Sequence, residues 1–127
     1  MSAPEPVVAI GRAVIVWAAD QVRARDLTDD ADELTAIDVS TTDAKRAIHR
    51  VANRLRLRAR ASFRLAGDLV KDSQSCETAI MAASDGIAIA TASDVLGIYA
   101  SALADHLDLD VALARAQRAR ALMPEAS

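Results

Sequence analysis

The sequence predicts an all-α fold, a helical bundle of about four helices with two long central ones, and three observations carry that prediction. Alanine fills 29 of the 127 positions; it is the best helix former and is depleted from strands. Only four glycines and three prolines are present, too little turn punctuation for a many-stranded sheet. Trp17, Phe63 and Tyr99 are the only aromatic residues. The core must therefore come from Ala, Leu, Val and Ile on backbones that approach closely, as packed helices do. A chain of this length reads as one domain, residues 1–127, and is long enough to bury roughly two-thirds of its unfolded surface.

Residues 1–6, with Pro4 and Pro6, read as a flexible tail. From residue 7 to about 25, Val7, Ile10, Val14, Trp17, Ala18 and Val22 recur at helical spacing and predict a first helix. Residues 26–42 read as an acidic linker holding a short helix around 30–37. Ser40, Thr41, Thr42 and Asp43 offer N-caps for a helix beginning near residue 43.

The stretch NRLRLRARASFRL, residues 53–65, alternates basic and apolar residues like a half-buried strand. A longer pattern overrides it. Ile48, Ala52, Leu55, Ala59, Phe63, Ala66 and Val70 are separated by steps of 4, 3, 4, 4, 3 and 4. That stripe runs through the alternation and beyond it, and Arg, Leu and Ala all favour helix. Residues 43–71 therefore read as one helix, about 42 Å long at 1.5 Å per residue, with Leu57 and Leu65 outside its seam. Ser73 or Ser75 then offers a cap for a helix over about 79–107, apolar almost all round and so expected to be central. Its strongest stripe is Ile80, Ile87, Thr91, Val95, Ile98 and Ala102, and Gly86 is placed to kink or split it. Asp108 caps a short final helix that carries Arg115, Arg118 and Arg120 in its later turns.

Net charge is −3, too small to choose a partner, but its distribution is banded. Residues 26–43 hold seven acids and no base, residues 45–64 hold eight bases and no acid, and no Lys or Arg lies between Lys71 and Arg115. Cys76 is the only cysteine, so neither an internal disulfide nor a cysteine-based zinc site is available, and it reads as a small hydrophobe near a helix start. The opening MSAPEPVV has no basic leader, and the apolar run over 7–19 is broken by Arg12 and short of the ~20 residues that span a bilayer. The expectation is a cytoplasmic protein without a membrane partner.

Residues 92–116, ASDVLGIYASALADHLDLDVALARA, carry Asp94, Val95, Leu96 and Tyr99, then Leu103, Ala104, Asp105, Leu107, Leu109 and Asp110. This segment resembles the last two helices of the all-α nucleoside triphosphate pyrophosphohydrolases of the MazG type. The resemblance implies magnesium held by an early Glu-x-x-Glu and a later Glu-x-x-Asp on helices, clamping a triphosphate. Helical spacing of three puts each such pair on one face, and oxygen ligands suit Mg²⁺. Asp94 matches the last carboxylate, but Thr91 stands three residues before it. Asp68, in RLAGDL, falls where the earlier pair belongs, with Leu65 three residues before it. Asp68 and Asp94 are thus the metal candidates, two carboxylates where the family uses four. Magnesium is expected only if this enzymatic reading holds; otherwise no cofactor is.

Other chemistry is sparse. Asp105, His106, Asp108 and Asp110 crowd one helix junction, where capping explains them as well as metal binding does. Asp85 and Asp94 sit in an apolar helix, where a carboxylate needs a partner; an arginine from the preceding helix or from a second subunit would serve. His49 lies among arginines and reads as exposed. Lys45, Arg46, Arg50, Arg54, Arg58 and Arg60 are the residues that would meet phosphates if the basic helix binds nucleic acid, although no aromatic interleaving exists for base stacking. The leading expectation is a non-catalytic structural or interaction protein that self-associates. The alternatives are a nucleic-acid binder and a divergent relative of the pyrophosphohydrolases.

Overall fold

The computed structural model describes residues 5–41, 43–72, 76–105 and 118. Within them the chain forms four helices and no strand: α1 (Glu5–Arg23), α2 (Thr28–Thr35), α3 (Ala44–Lys71) and α4 (Cys76–Asp105). The arginine-rich middle is helical throughout, as its longer period predicts. α2 occupies the centre of the segment read as a linker. The expected final helix from Asp108 lies outside the described residues.

α3 and α4 form an antiparallel hairpin that is the body of the molecule. Its register is fixed by three contacts. Ser93 Oγ donates 2.8 Å to the carbonyl of Ala52, the Phe63 ring lies on Gly86, and the Arg56 guanidinium lies beside Gly97. A Cβ on Gly86 would stand 3.1 Å from the Phe63 ring, so that glycine sets how closely the helices approach. Gly86 neither kinks nor splits α4, which runs unbroken for 30 residues. α1 packs on α4 and on α2, and α2 packs on α3. The two shorter helices therefore form a second layer over one side of the hairpin.

The core lies between these layers. Val14, Trp17, Ala18 and Val22 of α1 meet Leu34 of α2, Ile48, Val51 and Leu55 of α3, and Val95, Leu96 and Tyr99 of α4, all buried. Tyr99 is the largest fully buried side chain, and its hydroxyl passes so near Gly11 that a Cβ there would sit 1.9 Å away. α4 is long and apolar enough over Cys76–Ser101 to cross a membrane, by length and composition only, and half of that window is buried inside this fold.

Two expected stripes only partly reach the core. On α3, Ile48, Ala52, Leu55, Ala59 and Ala66 are buried, but Phe63 is 43 % exposed and Val70 66 %. On α4, Val95 is buried, whereas Ile80 and Ile87 are 62 % and 56 % exposed. The spacing is helical as expected, but the described residues do not cover the far end of either stripe. Cys76 is exposed rather than packed near its helix start.

Local signals account for the turns. α1 ends in a Schellman motif: Leu27 N–H bonds the carbonyl of Val22 and Asp26 N–H that of Arg23, with Asp26 left-handed at φ 63°. Asp38 accepts from the backbone and hydroxyl of Ser40 at 3.0 and 2.6 Å, and these bonds hold its carboxyl below the usual range. Ser40 is thus spent on a turn. Asp43 takes the position before α3 without a side-chain capping bond.

Left-handed backbone is strained for a residue with a Cβ and free of strain for glycine. Asp26→Gly should therefore raise stability by about 1 kcal/mol in urea unfolding; a loss would show that the Asp26 side chain matters more than its backbone. Burial pushes the Tyr99 hydroxyl up to about 12 from 10.0. The unfolded chain releases this proton first, so the contribution is intact below pH 10.0 and is lost as pH climbs towards about 12. Stability should fall there by up to about 1.4 kcal/mol per pH unit, phenolate absorbance should rise only with unfolding, and Tyr99→Phe should flatten that limb.

Candidate interaction surface

The basic band on α3 does two different jobs. Arg54 is a structural clamp. Its Nε and Nη2 donate to Asp30 Oδ1 at 3.0 and 2.8 Å, and Nη2 also reaches Glu33 Oε2. Asp30 and Glu33 stand three residues apart on α2, hence on one face, and Asp30 is buried. The bonds to Glu33 and then to Asp30 raise the Arg54 pKa above its ordinary value. Arg54 is therefore not available to phosphate without releasing α2.

The remaining expected contacts do not make one patch. At ~100° per residue, Lys45, Arg60, Arg46, Arg50, Arg54 and Arg58 spread over roughly 220° of the α3 circumference. All except Arg54 are exposed. A narrower row is present, of which only Arg60 was expected: Arg56, Arg60, Arg64 and Lys71, all exposed, within an arc of roughly 80°. Its signal was the helical spacing of the bases themselves, hidden by their number. His49 is half-buried.

The carboxylates do not assemble. Asp68 and Asp94 are both exposed, on different helices. The contacts of Ser93 with Ala52, Phe63 with Gly86 and Arg56 with Gly97 set Asp94 level with a point between Ala52 and about residue 58 of α3. Asp68 stands at least about ten residues further along, at least roughly 15 Å at 1.5 Å per residue. Mg²⁺ holds its oxygen ligands at ~2 Å, so these two cannot share an ion. Among the described residues, no group of three or more His, Cys, Asp and Glu is placed to hold a metal. His106, Asp108 and Asp110 lie outside the described residues.

Asp85 does meet an arginine, but from a different element than expected. Its partner is Arg25, just after α1, with Nε 3.4 Å from Asp85 Oδ1. That Nε makes no hydrogen bond, so the contact is an ion pair only. Arg25 is anchored instead by Nη1, which donates 2.8 Å to the Gln21 carbonyl. Between the α1–α2 turn and α3 lies a cleft of about 730 Å³, lined by Asp26, Asp29, Asp30, Glu33, Arg54 and Arg58 among others. Its strongest charges, those of Asp30, Glu33 and Arg54, already pair with one another.

Apolar exposure is the more decisive feature. Among the described residues, the exposed large hydrophobics are Val16, Leu57, Phe63, Leu65, Val70, Ile80, Met81 and Ile87. Six of these eight fall between Phe63 and Ile87, in the half of the hairpin that the α1–α2 turn touches through Arg25 and Asp85. No family model, curated protein or solved structure matches the chain.

Breaking the clamp tests its role. Arg54→Met strands the buried Asp30 carboxylate and should cost about 2–3 kcal/mol in urea unfolding. Adding Asp30→Asn should recover much of that loss. A cost below about 0.5 kcal/mol, the range of ordinary surface changes, would show that α2 is held by its apolar contacts alone.

Proposed function

We propose that this protein is a helical interaction module that works as a homo-oligomer, with the α3–α4 hairpin as its contact surface. One observation carries the reading: the concentration of exposed apolar side chains, Phe63, Leu65, Val70, Ile80, Met81 and Ile87, on the distal half of that hairpin. Soluble monomers scatter such residues singly, so six of them within one half of a helical hairpin point to a binding surface. A magnesium-dependent hydrolase is supported less, because Asp68 and Asp94 lie on separate helices at least about 15 Å apart. A nucleic-acid role is supported less because Arg54 is engaged in the fold.

The surface also has the right extent. α3 is 28 residues long, or ~42 Å, and two helices side by side are ~20 Å wide. Their shared face thus projects roughly 800 Å², the contribution of one partner to a standard stable interface.

Light scattering coupled to gel filtration should show a dimer or larger species at micromolar concentration, persisting at high salt. Ile80→Glu with Ile87→Glu should shift it towards monomer by at least about tenfold in dissociation constant without loss of helical circular dichroism. A wild-type chain that stays monomeric at ~100 μM, where a standard interface would be formed, would sink the reading.

A further inference from the structure

The outer arc of α3 carries cations that the fold does not use. At ~100° per residue, Arg46, Arg56, Arg60, Arg64 and Lys71 fall within roughly 80° of its circumference, turned away from buried Ile48 and Leu55. All five are exposed. From Arg46 to Lys71 the row is about 37 Å long at 1.5 Å per residue. The other residues in the arc are His49, Asn53 and Gly67, so it holds neither an acid nor a large apolar side chain. Asp43, Asp68 and Asp72 lie at least roughly 40° outside it.

No carboxylate answers this row. The arginines that form ion pairs among the described residues are Arg23, Arg25 and Arg54, none of which belongs to it. Arg56 instead donates 3.2 Å to the side-chain oxygen of Asn53, a neutral group of the same arc. Arg56, Arg60 and Arg64 follow one another at steps of four, where like charges repel and destabilise a helix. Among the described residues no ion pair offsets that repulsion; an anion from outside the chain would.

The make-up of the arc selects the anion. The centre of a protein interface is apolar and poor in charge, and the exposed Ile80 and Ile87 stand on α4, not in this arc. Interfaces with nucleic acid are polar and strongly positive. Single strands are held by stacking their bases on aromatic side chains, and the arc has no Phe, Tyr or Trp. A duplex needs none, because it presents one phosphate charge every ~1.7 Å of its axis. We propose that α3 lays this row across the phosphate backbone of a nucleic-acid duplex and holds it without regard to sequence. Arg54 takes no part, so α2 stays clamped. At ~0.1 M salt electrostatic fields decay over ~10 Å, and the duplex therefore meets the local row rather than the net charge of −3. The contact lies on α3 alone and does not depend on self-association.

Fluorescence anisotropy with a labelled DNA duplex longer than the row tests this. The slope of log K against log salt should be roughly −4, about 0.9 for each phosphate neutralised, and duplexes of different sequence should bind alike. The combined variant Arg56→Gln, Arg60→Gln and Arg64→Gln should make the slope shallower by roughly 2 to 3 and leave the urea midpoint unchanged or higher. Arg56→Lys, Arg60→Lys and Arg64→Lys together should keep the slope, because the contact uses charge rather than the guanidinium fork. Absence of binding at ~50 mM salt and ~100 μM protein, where non-specific phosphate contacts form, would overturn the proposal. So would a glutamine variant that binds as the original does, or a preference for polyglutamate over the duplex, which would assign the row to an acidic protein. A monomeric chain that binds the duplex in this way would sink self-association and leave this contact standing.

Discussion

The close approach of α3 and α4 is the constraint on which the rest of the structure depends. Two helices of 28 and 30 residues can approach closely only where one presents almost no side chain to the other. Gly86 under the Phe63 ring supplies one such place. Buried Ala52, Ala59 and Ala82 are placed to supply others. The buried hydroxyl at this seam, Ser93, satisfies itself on the Ala52 carbonyl, so that polar group is not stranded where water cannot reach. Alanine abundance is thus a packing requirement here as well as a helix preference.

The second layer is fastened differently. α1 and α2 rest on the hairpin through Val14, Val22, Leu34 and Trp17, but their placement is also fixed by two ion contacts. Arg54 ties α2 to α3, and Arg25 ties the α1–α2 turn to α4 through Asp85. The Schellman turn with Asp26 left-handed brings Arg25 into position between these two. Arg54 joins the acidic band to the basic one within the chain, and Arg25 joins the turn to the acidic α4. The layer is nonetheless short. α1 has 19 residues and α2 eight, ~28 and ~12 Å against ~42 Å for α3, and among the described residues Phe63, Val70, Ile80 and Ile87 of the distal hairpin stay exposed.

That shortness explains what the sequence could and could not reveal. The 4-3-4 spacing from Ile48 to Val70 settles helix against strand, because periodicity reports which face a segment presents. It cannot report whether anything covers that face, so Phe63, Val70, Ile80 and Ile87 carry a core pattern and are surface. The Arg54 clamp was legible in part: Asp30 and Glu33 share a helix face, and the base-rich helix comes next in the chain. Which of eight bases would answer them depended on the angle at which α2 crosses α3, which no local pattern encodes. The αL turn at Asp26 carries no glycine to announce it. Asp68 and Asp94 are paired by motif order alone, and helix register separates them.

The character of α4 narrows what can cover the bare side. Its hydropathy over Cys76–Ser101 would suit a bilayer, yet Asp85 and Asp94 lie inside that window. An aspartate near the centre of a membrane helix costs about 2.5–3.5 kcal/mol on insertion scales. Insertion would also strip α4 from α3, discarding the Ser93 bond and the Gly86–Phe63 contact along with the burial of Val95, Leu96 and Tyr99. Acyl chains would further leave Arg56, Arg60 and Arg64, one helix away, without anions. A protein surface that offers apolar groups to Ile80 and Ile87 and leaves the arginine row open to anions meets these demands together.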